Sequence, residues 1–207
     1  MIVAIEGVDA CGKATQSKLL AETLQAKLFS FPNYETPYGK LIKSHLLEEW
    51  FAGDTVDIGG NRSDNKNLDA MVFQAIQLAN RMELVGDIKK ASSLGHVVFD
   101  RYWPSGYVYG SLDGLDRELL VRLHASLPQP DLFLLLDVDD DTSVRRRPER
   151  RDRYEKQEGL MSKVVERYRE LWGHMASVNS RTWEVVDARG PIEAVAAAIQ
   201  AVVRARQ

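Results

Sequence analysis

Gly7-Val8-Asp9-Ala10-Cys11-Gly12-Lys13-Ala14-Thr15 lies between an apolar run, Ile2-Val3-Ala4-Ile5, and a helical pattern carried by Leu19, Leu20, Leu24 and Leu28. Strand, glycine loop and helix in that order are the setting of a phosphate-binding loop. Gly7 and Gly12 let the backbone turn its N–H groups inward around an anion. Lys13, expected at the end of an exposed loop with little packing to lose, extends towards the outer phosphates, and the helix adds its positive end. The ligand implied is a nucleoside triphosphate. The pattern G-x-x-x-x-G-K-[ST] departs at its last position, where Ala14 replaces the hydroxyl that usually meets magnesium and Thr15 comes next. A glycine turn with an incidental lysine is the bland alternative.

The rest of the chain constrains what such a loop serves. The 207 residues suffice for one domain with a sizeable core, expected over 1–207. A net charge of −3 argues against a general nucleic-acid or anionic-membrane binder. The single cysteine, Cys11, excludes an intramolecular disulfide or a multi-cysteine metal site and suits a reducing compartment. The opening MIVAIEG runs directly into a strand, and no apolar run approaches the ~18 residues of a membrane span, so a cytoplasmic protein is expected.

Five apolar runs read as buried strands: Ile2 to Ile5, Lys27 to Phe31, Val97 to Phe99, Leu132 to Val138 and Trp183 to Val186. Helix-period segments separate most of them. The expected fold is therefore α/β, a five-stranded parallel sheet covered on both faces by helices, of the P-loop NTPase type. Ligands in such sheets bind beyond the carboxyl ends of the strands, which directs attention to the residues just after each run.

After the second run, Phe31 to Gly39 holds two prolines and leads into a helix patterned by Leu41, Ile42, Leu46 and Trp50. A polar stretch from Gly53 to Asn67 precedes one long helical pattern from Leu68 to about Ser93. Within it Phe73, Gln77, Asn80, Arg81 and Leu84 share a face, which reads as a pocket wall or as a solvated helix with Phe73 turned inward. The third run ends in Asp100-Arg101. A guanidinium there can grip a phosphate through two parallel hydrogen bonds, or form an internal ion pair; the aromatic residues of 102–109 are suited to bounding a base. Beyond the fourth run, six arginines fall within 145–153, around Pro148. In an otherwise acidic chain they read as a lid over about 143–156 that closes on a triphosphate. A helix is expected from about Gly159 to Asn179. Another starts at Pro191 with Ile192, Val195, Ile199 and Val202 facing inward, and the turn Asp187-Ala188-Arg189-Gly190 before it can offer backbone to a purine ring.

Taken in order, IEGVDACGKATQ, FPNYETPYGKLI, LANRME, VVFDRYWPSGYVYG, PDLFLLLDV, the lid ending DRYE and the closing VVDARGPIEAV resemble the thymidylate kinase family across nearly the whole chain. That resemblance implies transfer of the γ-phosphate of ATP to dTMP, with Mg2+ accompanying ATP, and a homodimer that binds neither nucleic acid nor membrane. It implies that Lys13 and the loop residues Gly7, Ala10, Cys11, Gly12, Ala14 and Thr15 hold the ATP phosphates, with Ala188 at the purine. It places Asp9 near the acceptor's 3′-hydroxyl and the metal, with Asp100 as a second metal residue. Arg101 is expected on the acceptor phosphate, Arg81 on the thymine carbonyl, and Tyr34, Gly106, Tyr109 and Tyr154 around the acceptor. Three departures stand out. Ala14 lacks the magnesium hydroxyl. Gln77 occupies the position where many relatives stack a Phe on thymine, which leaves Phe73 or Gln77 to meet the base. Ala10 replaces a catalytic Arg of some members, which makes Arg150, Arg151 and Arg153 the candidates alongside Lys13 and Arg101.

Three other readings compete. One is a P-loop kinase of another nucleoside monophosphate or a deoxynucleoside. The second is a GTP-binding switch, from Asp57-Ile58-Gly59-Gly60 and Asn65-Lys66 with Asp69, although these segments lie too close together and follow no strand. The third is an inactive scaffold.

Overall fold

The computed structural model describes residues 1–46, 66–139, 142, 143, 146 and 159–207, with 66–68 as backbone only. Five strands form one sheet: β1 Ile2–Glu6, β2 Lys27–Ser30, β3 Val97–Asp100, β4 Leu132–Asp137 and β5 Trp183–Asp187. Their order is β2-β3-β1-β4-β5 and every pairing is parallel. The three inner strands are continuous apolar runs because helices cover both sheet faces, so neither set of alternate side chains meets water. The edge strands are only partly buried, and Lys27 on β2 is exposed.

The chain leaves β1 towards one edge and β3 towards the other. The segments after β1 and β3 therefore emerge side by side, with Ile5 paired to Asp100 and the Arg101 amide donating to the Ile5 carbonyl at 3.0 Å. This is the crevice at which open α/β sheets bind ligands.

The helices are α1 Lys13–Leu24, α2 Pro37–Leu46, α3 Lys66–Met82, α4 Val85–Leu94, α5 Trp103–Leu112, α6 Arg117–His124, α7 Leu160–Val178 and α8 Ile192–Arg204. Several expectations need correction. Leu28 belongs to β2, because α1 stops at Leu24 and Gln25 turns left-handed with φ 51°. The single helix expected over 68–93 is two. Leu84 closes an i to i+3 turn on Arg81, and Val85-Gly86, poor helix formers, restart the next element. On α8 the inward residues are Val195, Ile199 and Val203; Ile192 is exposed and Val202 half-buried. Trp50 lies outside the described residues.

The far side of the core is aromatic. Phe133 of β4 stacks on Trp183 of β5 with centroids 4.1 Å apart, and Trp172 of α7 meets Trp183 edge-on at 4.7 Å while its indole N–H donates to the Glu184 carbonyl. Among the described residues no helix is long and apolar enough to cross a membrane.

Candidate active site

The phosphate loop is built from backbone that side chains obstruct. Gly7 has φ 143°, and a Cβ there would lie 2.7 Å from the Leu136 carbonyl oxygen and 2.8 Å from Cys11 Sγ. Only glycine fits. Cys11 is buried against this turn, which accounts for a small side chain at that position. Gly12 at φ 101° caps α1 without a side-chain hydrogen bond, and the first turn of the helix carries no acid, so its N–H groups stay available to an anion. Ala10 is left-handed as well, with φ 60°.

Lys13 is buried, against the expectation of an exposed side chain. Its ammonium donates to the Val8 carbonyl at 2.6 Å and lies 3.9 Å from Asp9 Oδ1, so the charge is folded back into the loop. Beside it Asp9, Ala10, Gly12, Lys13, Ala14, Thr15, Asp100 and Arg101 line one pocket. Ala14 and Thr15, both exposed to solvent, line it together with Asp100.

Arg101 follows β3 in a left-handed conformation, φ 62°, which turns its side chain across the end of β1. Its guanidinium pairs with Asp9, not with its neighbour Asp100. It also donates to the Gly7 carbonyl at 3.2 Å and to Ser105 Oγ at 3.1 Å. Burial disfavours this charge, but Asp9 above all, together with Tyr168, Tyr109 and Glu6, outweighs that and raises its pKa further.

Behind Arg101 sits Glu6, fully buried at the end of β1. It accepts from the Tyr102 amide, from Ser105 Oγ at 2.8 Å and from the Tyr168 hydroxyl at 3.1 Å. Burial raises its pKa, with Arg101 opposing. Glu6 and Ser105 were not singled out in the sequence, and Tyr168 reads there only as a core residue of its helix. An acid as the last residue of an inner strand was the available signal, since a buried carboxylate needs a positive partner.

A second pocket opens on the other side of Arg101, lined by Phe31, Pro32, Tyr34, Leu46, Phe73, Gln74, Gln77, Arg81, Ser105, Gly106 and Tyr109 together with Asp9 and Arg101. Arg81 is its buried floor. Its Nη1 donates to the Gln77 carbonyl at 2.7 Å and to Gln77 Oε1 at 3.2 Å, and its Nη2 donates to the Tyr102 carbonyl at 2.6 Å. The guanidinium carbon stands 5.6 Å from the Phe31 ring centroid, and burial lowers the pKa to about 10, which leaves the group charged at neutral pH. Phe73 is buried and stacks on His45 at 4.3 Å. Tyr109 donates to Asp9 Oδ2 at 3.3 Å. Of the aromatics at 102–109 only Tyr109 lines the pocket. Tyr102, Trp103 and Tyr107 are buried, Tyr102 stacking on Phe99 at 4.3 Å.

The pocket mouth is held by Asn80, which the sequence pattern put on this face. It donates to Thr36 Oγ1 at 2.7 Å and to the Asn33 carbonyl at 3.2 Å, and it accepts from the Asn33 amide at 2.9 Å. Asn80 thereby fastens the segment after β2, with Tyr34, to α3.

At the other end Ala188 is buried after β5, and its carbonyl accepts from Arg146 at 2.9 Å; Arg146 also reaches the Arg189 carbonyl. Ser143, another residue sequence reading missed, donates to the Asp9 carbonyl at 2.8 Å and ties the start of the arginine segment to the phosphate loop. Arg150, Arg151, Arg153 and Tyr154 lie outside the described residues, as do Asp57 to Asn65. Asp69 is in the first turn of α3.

Two pockets meeting at one carboxylate–guanidinium pair suit two phosphate-bearing ligands placed end to end. That arrangement, on a parallel sheet with a phosphate loop after β1, defines a P-loop kinase of a small acceptor. A family model described as thymidylate kinase matches residues 5–199. A probable thymidylate kinase of Methanococcus maripaludis is 33% identical over 82% of this chain and 76% of its own length; the Danio rerio thymidylate kinase is 30% identical over 94% and 85%. The structure of the Candida albicans thymidylate kinase superposes with a TM-score of 0.80 at 25% identity, covering 99% of this chain and 91% of that one. A deoxyadenosine kinase from M. mycoides, 19% identical with a TM-score of 0.66, shares the fold. The chain belongs to the thymidylate kinase family, ATP-dependent phosphotransferases that act on dTMP.

Proposed function

We propose that the phosphate-loop pocket takes ATP, that the Arg81 pocket takes dTMP, and that the Asp9–Arg101 pair is where the two meet. The observation that carries this is the pair itself: both pockets are lined by Asp9 and Arg101, so groups bound on either side approach each other there. Lys13 leaves the Val8 carbonyl for the ATP phosphates. Arg101 exchanges Asp9 for the acceptor phosphate, a trade of one anion for another on a guanidinium already aimed by Glu6, Ser105 and Tyr168. The acceptor phosphate oxygen is the nucleophile and is deprotonated near neutral pH, so no side chain need serve as a strong base. Lid arginines Arg150, Arg151 and Arg153 neutralise the charge that spreads in transfer, and Tyr154 borders the acceptor.

Among the described residues no cluster of three or more His, Cys, Asp or Glu could hold a metal by itself. Mg2+ keeps several waters and is held by one or two carboxylates together with substrate phosphates. Asp100 and Thr15, which line the pocket with Ala14, are the residues to hold it, with Asp9 next to them. When bound, Mg2+ supplies charge compensation between the phosphates. The same reading carries the homodimer expected from the resemblance and the cytoplasmic location expected from the sequence.

The test is steady-state ADP release with ATP and dTMP. Lys13→Met should cut kcat by ~10²-fold or more. It should also lower the melting temperature, since the ammonium is buried on Val8. Arg101→Lys keeps the charge but loses the paired geometry, and should lower kcat/KM for dTMP by at least ~10²-fold. Near-wild-type turnover in both variants contradicts the assignment.

A further inference from the structure

Gln74, Gln77 and Arg81 occupy positions i, i+3 and i+7 of α3, so they share the face that lines the acceptor pocket. Gln77 Oε1 is engaged by Arg81. Gln74 is different: it is 1% exposed, and among the described residues its Oε1 has no hydrogen-bond partner. A buried amide oxygen without a partner destabilises a fold, and natural folds rarely leave one without reason.

The position of that oxygen is set by shape. Gly106 and Gly110, one turn apart on α5, leave a bed for the amide. A Cβ at 106 would lie 3.0 Å from Gln74 Oε1, and one at 110 would lie 3.1 Å from both Cδ and Nε2 of Gln74. The same missing Cβ at 106 brings His124 close, with Nε2 3.4 Å from that point. His124 cannot satisfy the oxygen. Its Nδ1 faces the Leu120 carbonyl at 2.8 Å and so carries the proton, which makes Nε2 an acceptor, and it too has no partner among the described residues. Burial lowers the His124 pKa to about 4 and keeps the ring in that neutral form.

The pocket wall therefore offers a held, unsatisfied carbonyl oxygen beside a buried guanidinium, between the apolar surfaces of Phe31, Leu46 and Phe73. Its complement is a flat ring edge on which an N–H lies next to a carbonyl oxygen. Thymine has that edge: N3–H beside O4. We propose that Gln74, seated on the Gly106–Gly110 bed, reads the imide N3–H of the acceptor base while Arg81 meets a carbonyl. Cytosine presents an acceptor at N3 and an amine at C4, which faces Gln74 Oε1 and Arg81 with the wrong groups. This answers in a new way the choice between Phe73 and Gln77, and it rests on the reading of this pocket as the dTMP site.

Titration calorimetry with dTMP and N3-methyl-dTMP tests it by binding alone. The wild type should bind dTMP ~10²-fold more tightly than the methylated analogue. Gln74→Leu, similar in size and without the amide, should bind dTMP ~10-fold more weakly and retain only a several-fold preference. An equal loss on both ligands, or dTMP binding unchanged within about twofold, overturns the proposal. Gly106→Ala provides the second variant, because its Cβ displaces the amide while leaving residue 74 intact; its imide preference should collapse likewise, and an undiminished preference overturns the proposal. An imide preference in a protein that fails to phosphorylate dTMP contradicts the catalytic reading alone. Turnover of dTMP with no imide preference contradicts the role of Gln74 alone.

Discussion

Ala14 is the residue that least fits its own motif, and its surroundings say how the loop manages without a hydroxyl. It is exposed and lines the pocket together with Thr15 and Asp100, so a water can occupy the place where a serine oxygen would reach the metal. Ala14→Ser adds one oxygen to open space. It should lower the magnesium concentration for half-maximal activity several-fold, with KM for dTMP unchanged within about twofold. Superimposable titrations at fixed ATP, corrected for metal bound by free ATP, contradict a metal-facing position 14. Lys13 was legible in type and place. Its burial was not, because it depends on the loop curling back until the Val8 carbonyl meets the ammonium.

At the scale of elements, the dTMP pocket depends on α3 holding the segment after β2. Asn80 makes that connection through a donor and an acceptor at once, so Asn80→Leu strands the Asn33 amide and frees the Asn33 carbonyl and Thr36 Oγ1, which keep bonds within their own turn, from α3. The variant should be less stable by ~2 to 4 kcal/mol in denaturant unfolding and raise KM for dTMP more than it lowers kcat. A loss under ~0.5 kcal/mol contradicts a structural clamp. All five strands were legible because inner parallel strands are unbroken apolar runs between turn signals. The break between α3 and α4 was hidden, since the face pattern of Phe73, Gln77 and Arg81 continues through Leu84. Glu6 and Gln74 were hidden for another reason. Each gets its meaning from residues about 100 and 30 positions away, Arg101 and Gly106, which no local pattern connects.

For the whole molecule, the packing of α3, α5 and α6 around His124 couples the base pocket to pH. The folded pKa of about 4 lies below the ordinary 6.5, so the fold excludes a proton that the unfolded chain accepts. The stability due to neutral His124 is complete above pH 6.5 and is lost as pH falls towards 4, a change on the order of 3 kcal/mol. Glu6 acts in the opposite sense: its raised pKa gives stability present below its ordinary 4.5 and lost as pH rises. Comparing the wild type with His124→Gln at each pH cancels the Glu6 contribution. The stability difference between them should shift against the wild type by ~3 kcal/mol between about pH 7 and about pH 4, and a constant difference contradicts a neutral buried imidazole.

The central claim is that this fold joins an ATP site to a dTMP site across Asp9 and Arg101. ADP release by the wild-type protein, with ATP and magnesium and each of dTMP, dCMP, dAMP, dGMP and thymidine in turn, tests it most directly. The account predicts kcat/KM for dTMP above every other acceptor by ~10²-fold or more, with little ADP formed when no acceptor is present. Equal or better turnover of a purine nucleotide or of thymidine, or nucleotide hydrolysis indifferent to dTMP, contradicts it.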